Sequence, residues 1–152
     1  MSNLIELWHK RARPNPTKDD LVVQVGCHIE EFLEMLDTVD FYVEGSNEET
    51  SRNYHSIRMI YELLTILSMG LKSKKISLYI KDREQFLDSL ADQIVTAIGC
   101  GHCAGMKVAE ALLRVNESNW SKFDIEGNPI RDSNGKITKG ESYKKPNLEG
   151  LY

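Results

Sequence analysis

Apolar residues recur at helical spacing along most of the chain, and the breaks between stripes fall at proline, glycine and polar caps. Val22, Val25, Ile29, Phe32, Leu33, Leu36 and Val39 make one stripe, opened by Thr17-x-x-Asp20. That opening has the form of a capping box, so the pattern predicts a helix from about Lys18 to Phe41. Pro14 and Pro16 precede it and end a short helix that begins near Asn3. Gly45-Ser46-Asn47 breaks the long helix, with Ser46-x-x-Glu49 as a second capping signature. Ile57, Ile60, Tyr61, Leu64 and Leu67, thickened by Met59, Leu63 and Ile66, predict the next helix. It ends at Gly70 with lysines after it, as a helix C-terminus prefers. Lys74 to Lys81 reads as a connector with some strand character. Asp82-x-x-Gln85 opens a third long helix through Phe86, Leu87, Leu90, Ala91, Ile94, Val95 and Ile98, punctuated by Gly99, Gly101 and Gly105. A fourth runs from about Met106 to Val115. Periodicity stops after Trp120, and the glycines and prolines beyond it predict an irregular tail. Asp132-Ser133-Asn134-Gly135 reads as a turn, inside a small hairpin across Pro129–Thr138. The expected fold is all-α: an antiparallel helical bundle of about four main helices with an irregular C-terminal tail.

Composition narrows the function classes. At 152 residues the chain has the length of one domain, with 1–16 as an N-terminal arm and 123–152 as the tail. Hydrophobic residues at 41% and charged residues at 28% are a globular balance. A formal charge of −4 argues against a binder of nucleic-acid polymers, which needs a basic face. No apolar run approaches the roughly 20 residues of a bilayer span, and Met1 to Arg13 lacks the apolar core of a signal peptide. Cys27, Cys100 and Cys103 are an odd count, in keeping with a reducing cytoplasm.

Charge is distributed unevenly. Asp19 to Ser51 holds ten acidic residues and no Lys or Arg, while Lys72, Lys74 and Lys75 follow the second long helix. Such a segment wants a cation, supplied by a metal, by a remote part of the chain or by solvent. Within it stands Glu30-Glu31-x-x-Glu34. At about 100° per residue, Glu30 and Glu34 lie about 40° apart at the edge of the apolar stripe, with Glu31 about 60° beyond Glu34. Asp88 and Asp92 are likewise i and i+4, beside Ala91 and Val95. If the two helices pack through their stripes, five carboxylates meet at one edge of the core. Hard oxygen donors select Mg²⁺ or Mn²⁺, which bind phosphate oxygens and activate water against a phosphoanhydride. A solvated acidic face is the plainer reading of each pair alone. Near the last helix end, Asn116, Asn119 and Lys122 are spaced i, i+3, i+6. Two amides and an ammonium there suit a base edge, a sugar hydroxyl and phosphate oxygens, where a polar helix end is the plainer reading.

Three runs in order, Gln24-Val25-Gly26-x-x-x-Glu30-Glu31-x-x-Glu34, Leu87-Asp88-x-Leu90-Ala91-Asp92-Gln93 and Val115-Asn116-x-Ser118-Asn119-x-Ser121-Lys122-Phe123, resemble the MazG-like all-α nucleoside triphosphate pyrophosphohydrolases. The tail, with Gly127-Asn128-Pro129, Asn134-Gly135-Lys136, Lys139-Gly140 and Tyr143-x-x-Pro146-x-Leu148, resembles the end of small phage and bacterial members. The resemblance spans about Pro14 to Leu148. It implies Mg²⁺-dependent hydrolysis of (deoxy)nucleoside triphosphates between the α and β phosphorus atoms, with Mn²⁺ able to substitute. It implies metal ligands at Glu30, Glu31, Glu34, Asp88 and Asp92, with catalysis by Glu30, Glu31, Glu34 and Asp92. Substrate contacts fall to Gln24, Asn116, Asn119 and Lys122. It also implies a homodimer or homotetramer in the cytoplasm, the host's if the chain is phage-encoded, acting in nucleotide-pool control or house-cleaning. One departure stands out: the commoner family pattern is Glu-x-x-Asp, and here Ser89 lies three before Asp92, with Asp88 one residue earlier.

Two rival classes remain. One is a non-catalytic helical adaptor that binds a protein through the acidic face. The other is a redox or zinc protein built on Cys100-Gly101-His102-Cys103, which matches the active-site tetrapeptide of disulfide isomerases. A redox site of that kind needs its first cysteine at a helix N-terminus after a strand, and Cys100 is predicted near a helix C-terminus. Zinc would recruit Cys27 and His28, but no second ligand pair stands at a zinc spacing. His28 is expected on a helix surface, and Trp8 and Trp120 in packing.

Overall fold

Thr17 begins the first long helix as the sequence predicts: its side chain accepts from the Asp20 backbone N–H, and the Asp20 carboxylate accepts from the Thr17 N–H at 2.9 Å. The computed structural model describes residues 2–42, 47–131 and 137–152, with side chains from 4 to 42, 55 to 131 and 137 to 152. Among the described residues five helices run in order: α1 (Ser2–Ala12), α2 (Lys18–Leu36), α3 (Asn47–Lys72), α4 (Arg83–Cys103) and α5 (Val108–Trp120). The protein is all-α. Among the described residues there are only isolated antiparallel bridges, Phe123 to Pro129 and Arg131 to Ile137. The second of these lies in the expected hairpin, whose Asp132–Gly135 turn is outside the described residues, as are Gly45 and Ser46 ahead of α3.

Helix boundaries move where tertiary contacts or local chemistry compete with periodicity. α2 stops at Leu36, short of Phe41, because Asp37, Thr38, Val39 and Asp40 are weak helix formers. Thr38 closes the end by donating its hydroxyl to the Met35 carbonyl at 2.7 Å. α3 continues through Gly70 to Lys72, and Lys74 (φ 59°) takes the left-handed residue after it. Gly70 serves packing instead: an added Cβ would lie 2.5 Å from Ile76 Cδ1. The connector from Lys74 to Lys81 forms no strand. α4 passes through Gly99 and Gly101, and its turn residue is Gly105 (φ 75°). α5 extends five residues beyond Val115, held by partners described below.

The chain divides into two compact units, Pro16–Tyr79 and Met1–Asn15 with Ile80–Tyr152. The first is a helical hairpin in which α2 packs on α3 around Val22, Leu33 and Leu71. In the second, α1 and α4 pack on α5. The tail retraces α5 from its C-terminal to its N-terminal end. Ser118 Oγ donates to the Lys144 carbonyl, Arg114 reaches the Asn147 carbonyl, and the Lys107 N–H donates to Leu151. Burial and the charge of Arg13 push the His9 imidazole of α1 below its ordinary pKa. No described helix is long and apolar enough to cross a membrane.

Candidate functional site

In the hairpin unit the acidic face is built around a close approach of two backbones. Gly26 is buried against α3, where a Cβ would stand 2.9 Å from Lys72 Cγ and 3.0 Å from both Leu71 Cβ and the Ser68 carbonyl. Ser68, itself buried, donates its hydroxyl to the Gly26 carbonyl at 2.9 Å. One turn later on α2 stands Glu30, and the close approach brings Lys72 onto its carboxylate as a half-buried ion pair. Lys74 pairs with Asp19 at 3.1 Å. The acid-only segment therefore finds part of its counter-charge at the far end of the same hairpin.

Glu31 and Glu34 are exposed, as is Gln24. Helical geometry separates the three glutamates: Glu30, Glu34 and Glu31 fan over about 100° of the α2 surface, with Glu31 turned farthest from α3. Glu30, Glu34 and Asp37 instead follow one row along the helix (i, i+4, i+7). At the end of that row the Tyr61 hydroxyl donates to Asp37 at 2.8 Å. That bond pushes the phenol above its ordinary pKa, with burial and the charges of Asp37 and Glu34 adding to it.

The other predicted residues belong to the second unit. Asp88 and Asp92 are exposed in the N-terminal half of α4, which Asp82 caps through the N–H groups of Glu84 and Gln85. At the end of α5, Asn116 and Ser118 are buried, while Asn119 and Lys122 are half-buried. Lys122 Nζ donates to Asn119 Oδ1 at 2.8 Å, and the Trp8 indole donates to the Asn119 carbonyl at 2.9 Å. The Lys144 N–H donates to Ser121 Oγ, so Ser118 and Ser121 act as tail anchors. Phe123 is buried against the rings of Trp8 and Trp120. The motif thus separates into two roles: Ser118 and Ser121 hold the tail and Phe123 the ring cluster, while half-buried Asn119 and Lys122 bond to each other.

Among the described residues, no three or more His, Cys, Asp or Glu side chains group so as to hold a metal ion. Oxygen donors in the expected set do suit a hard divalent cation, and they are divided between the two units. Cys27, Cys100 and Cys103 are free thiols, and Cys100 lies near the C-terminal end of α4. That position lacks the helix-dipole activation a redox cysteine uses.

Sequence reasoning did not single out Lys72 as the partner of Glu30, Trp8 as the brace of Asn119, or the cavity beside Asp37. Lys72 carried a signal, as the first lysine after the acid-only stretch. Comparison with family models, with curated proteins and with solved structures finds no match to this chain.

Proposed function

We propose that the protein is a Mg²⁺-dependent hydrolase of (deoxy)nucleoside triphosphates. It cleaves between the α and β phosphates, releasing the monophosphate and pyrophosphate in nucleotide-pool control or house-cleaning. The observation that carries this reading is Lys122, a half-buried ammonium bonded to an amide oxygen and, among the described residues, to no carboxylate. Removing an ammonium from water calls for an anion in return. Lys122 neutralises phosphate charge, and Asn119 offers its amide N–H donors to sugar or phosphate. Asn116, one turn before Asn119, is buried, and the resemblance assigns it a contact to sugar or phosphate as well. The resemblance assigns a further substrate contact to Gln24 of α2. The resemblance assigns Mg²⁺, or Mn²⁺ in its place, to Glu30, Glu31 and Glu34 of α2 and to Asp88 and Asp92 of α4, with a carboxylate left over as general base. The bound cation supplies charge neutralisation at phosphate oxygens and a more acidic water.

Exposed apolar ridges support the second half of the reading, assembly with further copies of the chain. On α3, Met59, Leu63 and Ile66 lie on the side roughly opposite Tyr61, Leu64 and Ser68, which face α2, and Leu63 is 61% exposed. α4 likewise presents Leu87, Ile94 and Val95, with Leu87 69% exposed. A helix apolar on two faces needs two partners, and isologous pairing into a homodimer or homotetramer provides the second.

A panel of (d)NTPs incubated with Mg²⁺, with pyrophosphate and orthophosphate followed separately, tests the chemistry. Pyrophosphate with monophosphate is the expected product pair. Diphosphate with orthophosphate as the only products refutes it, and the absence of turnover across the panel favours the adaptor reading.

A further inference from the structure

Beyond the row of Glu30, Glu34 and Asp37, the hairpin unit opens into a cavity of about 650 Å³. Its volume lies in the range of small-molecule sites, roughly 300–1,000 Å³. Phe32 and Leu36 of α2, Phe41 beyond it, and Ile57 and Ile60 of α3 supply apolar walls. Phe32 and Phe41 are each about half exposed (48% and 47%), so both rings remain open to a ligand. The polar groups at this cavity are few and differ in their commitments. Asp37 is engaged by the Tyr61 hydroxyl, and Arg58 donates to Glu62 at 3.0 Å. Asp40 also lines the cavity, is exposed, and has no hydrogen bond or ion pair among the described residues. An apolar cavity walled by aromatic rings and lined by an uncommitted acceptor is what a nucleobase needs. Aromatic rings stack on its faces, and hydrogen bonds read its edge.

From this we infer that the cavity beside Asp37 is a nucleobase pocket, read by the Asp40 carboxylate and selective for guanine. A carboxylate only accepts hydrogen bonds. The Watson–Crick edge of guanine presents two adjacent donors, N1–H and the N2 amino group, which match the two carboxylate oxygens. Adenine and cytosine place a ring acceptor beside their amino donor, and thymine flanks its single N–H with two carbonyls, so each sets an acceptor against Asp40. The position also suits a nucleotide. At about 1.5 Å of rise per residue, Asp37 stands about 10 Å along the axis from Glu30. Phosphates held at the glutamate end would leave the base at the cavity, with the ribose between. The inference rests on the proposed nucleotide chemistry for its ligand and adds the base.

Resonances of Ile57, Ile60 and Phe41 in the 152-residue chain, titrated with dGMP, dAMP, dCMP or dTMP in Mg²⁺ buffer, provide the test. The expected result is saturable shifts at these residues, with dGMP binding about 10- to 100-fold more tightly than the others, the discrimination a bidentate base contact typically supplies. Asp40→Asn should level the series, because one of its two acceptors becomes a donor. Phe41→Ala should weaken all four monophosphates, which checks the site by stacking should the first variant misfold. Equal affinities in the wild-type protein, or a dGMP response confined to other residues, overturns the pocket. Shifts that follow protein concentration instead of nucleotide assign the cavity to a second copy of the chain and overturn it too. Pyrophosphate release is scored separately on the same protein. Turnover without these shifts leaves the hydrolase and removes the pocket, whereas dGMP binding here without turnover does the reverse.

Discussion

Lys72 and Lys122 are both half-buried ammonium groups, and their partners set them apart. Lys72 spends its charge on Glu30, whereas Lys122 meets only the amide oxygen of Asn119 among the described residues. An ammonium withdrawn from water without a carboxylate retains its attraction for an incoming anion. Lys122→Ala should therefore lower kcat/KM for a triphosphate by about 30- to 1000-fold, the 2–4 kcal/mol typical of one lost electrostatic contact to developing charge. Binding of Mg²⁺ alone, followed calorimetrically, should be unchanged, because an ammonium is no metal ligand. A near-wild-type kcat/KM would remove Lys122 and Asn119 from the proposed site. At this scale the sequence was partly legible. The i, i+3, i+6 spacing marked Asn119 and Lys122 as neighbours, and the capping box at Thr17 could be read directly. That Ser118 and Ser121 turn to the tail could not, since their partners lie more than twenty residues away.

Among the elements, the α2–α3 hairpin depends on one residue without a side chain. Gly26 is poor for helix propensity, by about 1 kcal/mol against alanine, yet any larger residue meets Lys72, Leu71 and the Ser68 carbonyl within about 3 Å. Gly26→Val should lower stability by about 1–3 kcal/mol through overpacking, measured by urea unfolding. The Glu30–Lys72 pair should loosen with it, because the same close approach sets that contact. An unchanged or raised unfolding midpoint would show that the helices yield without cost. Periodicity located all five helices but misjudged their ends. α2 stopped early where weak helix formers follow Leu36, and α5 ran on to Trp120 because Trp8 and the tail hold a stretch of poor formers. Local sequence sees the first cause and not the second.

For the whole molecule, the weight falls on apolar surface that the chain leaves exposed. Ridges on α3 and α4 carry large side chains open to solvent, including Leu63 and Leu87, and exposed apolar patches of this kind mark interaction surfaces. Light scattering on the purified protein should return a multiple of the 17.4 kDa chain mass. Leu63→Glu should shift the population toward monomer, since a carboxylate buried at such a seam lacks a partner. A monomeric wild-type protein would remove the oligomer from the reading. The sequence showed these stripes as apolar but not which of them a neighbouring helix would cover, because helical spacing reports a face and never its partner.

The helical class, the capped starts of α2 and α4, the acid-only segment and the order of the three motifs were all written in the sequence. Each depends on residues within a few positions of one another, where spacing and propensity are sufficient. Folding decided which charges meet, as in Lys72 on Glu30 and Lys74 on Asp19, and which polar residues turn inward, as in Ser68 and Ser118. It decided too that Asp40 lines an apolar cavity. Such pairings join residues far apart in the chain, and only the path of the backbone between them determines whether their side chains touch.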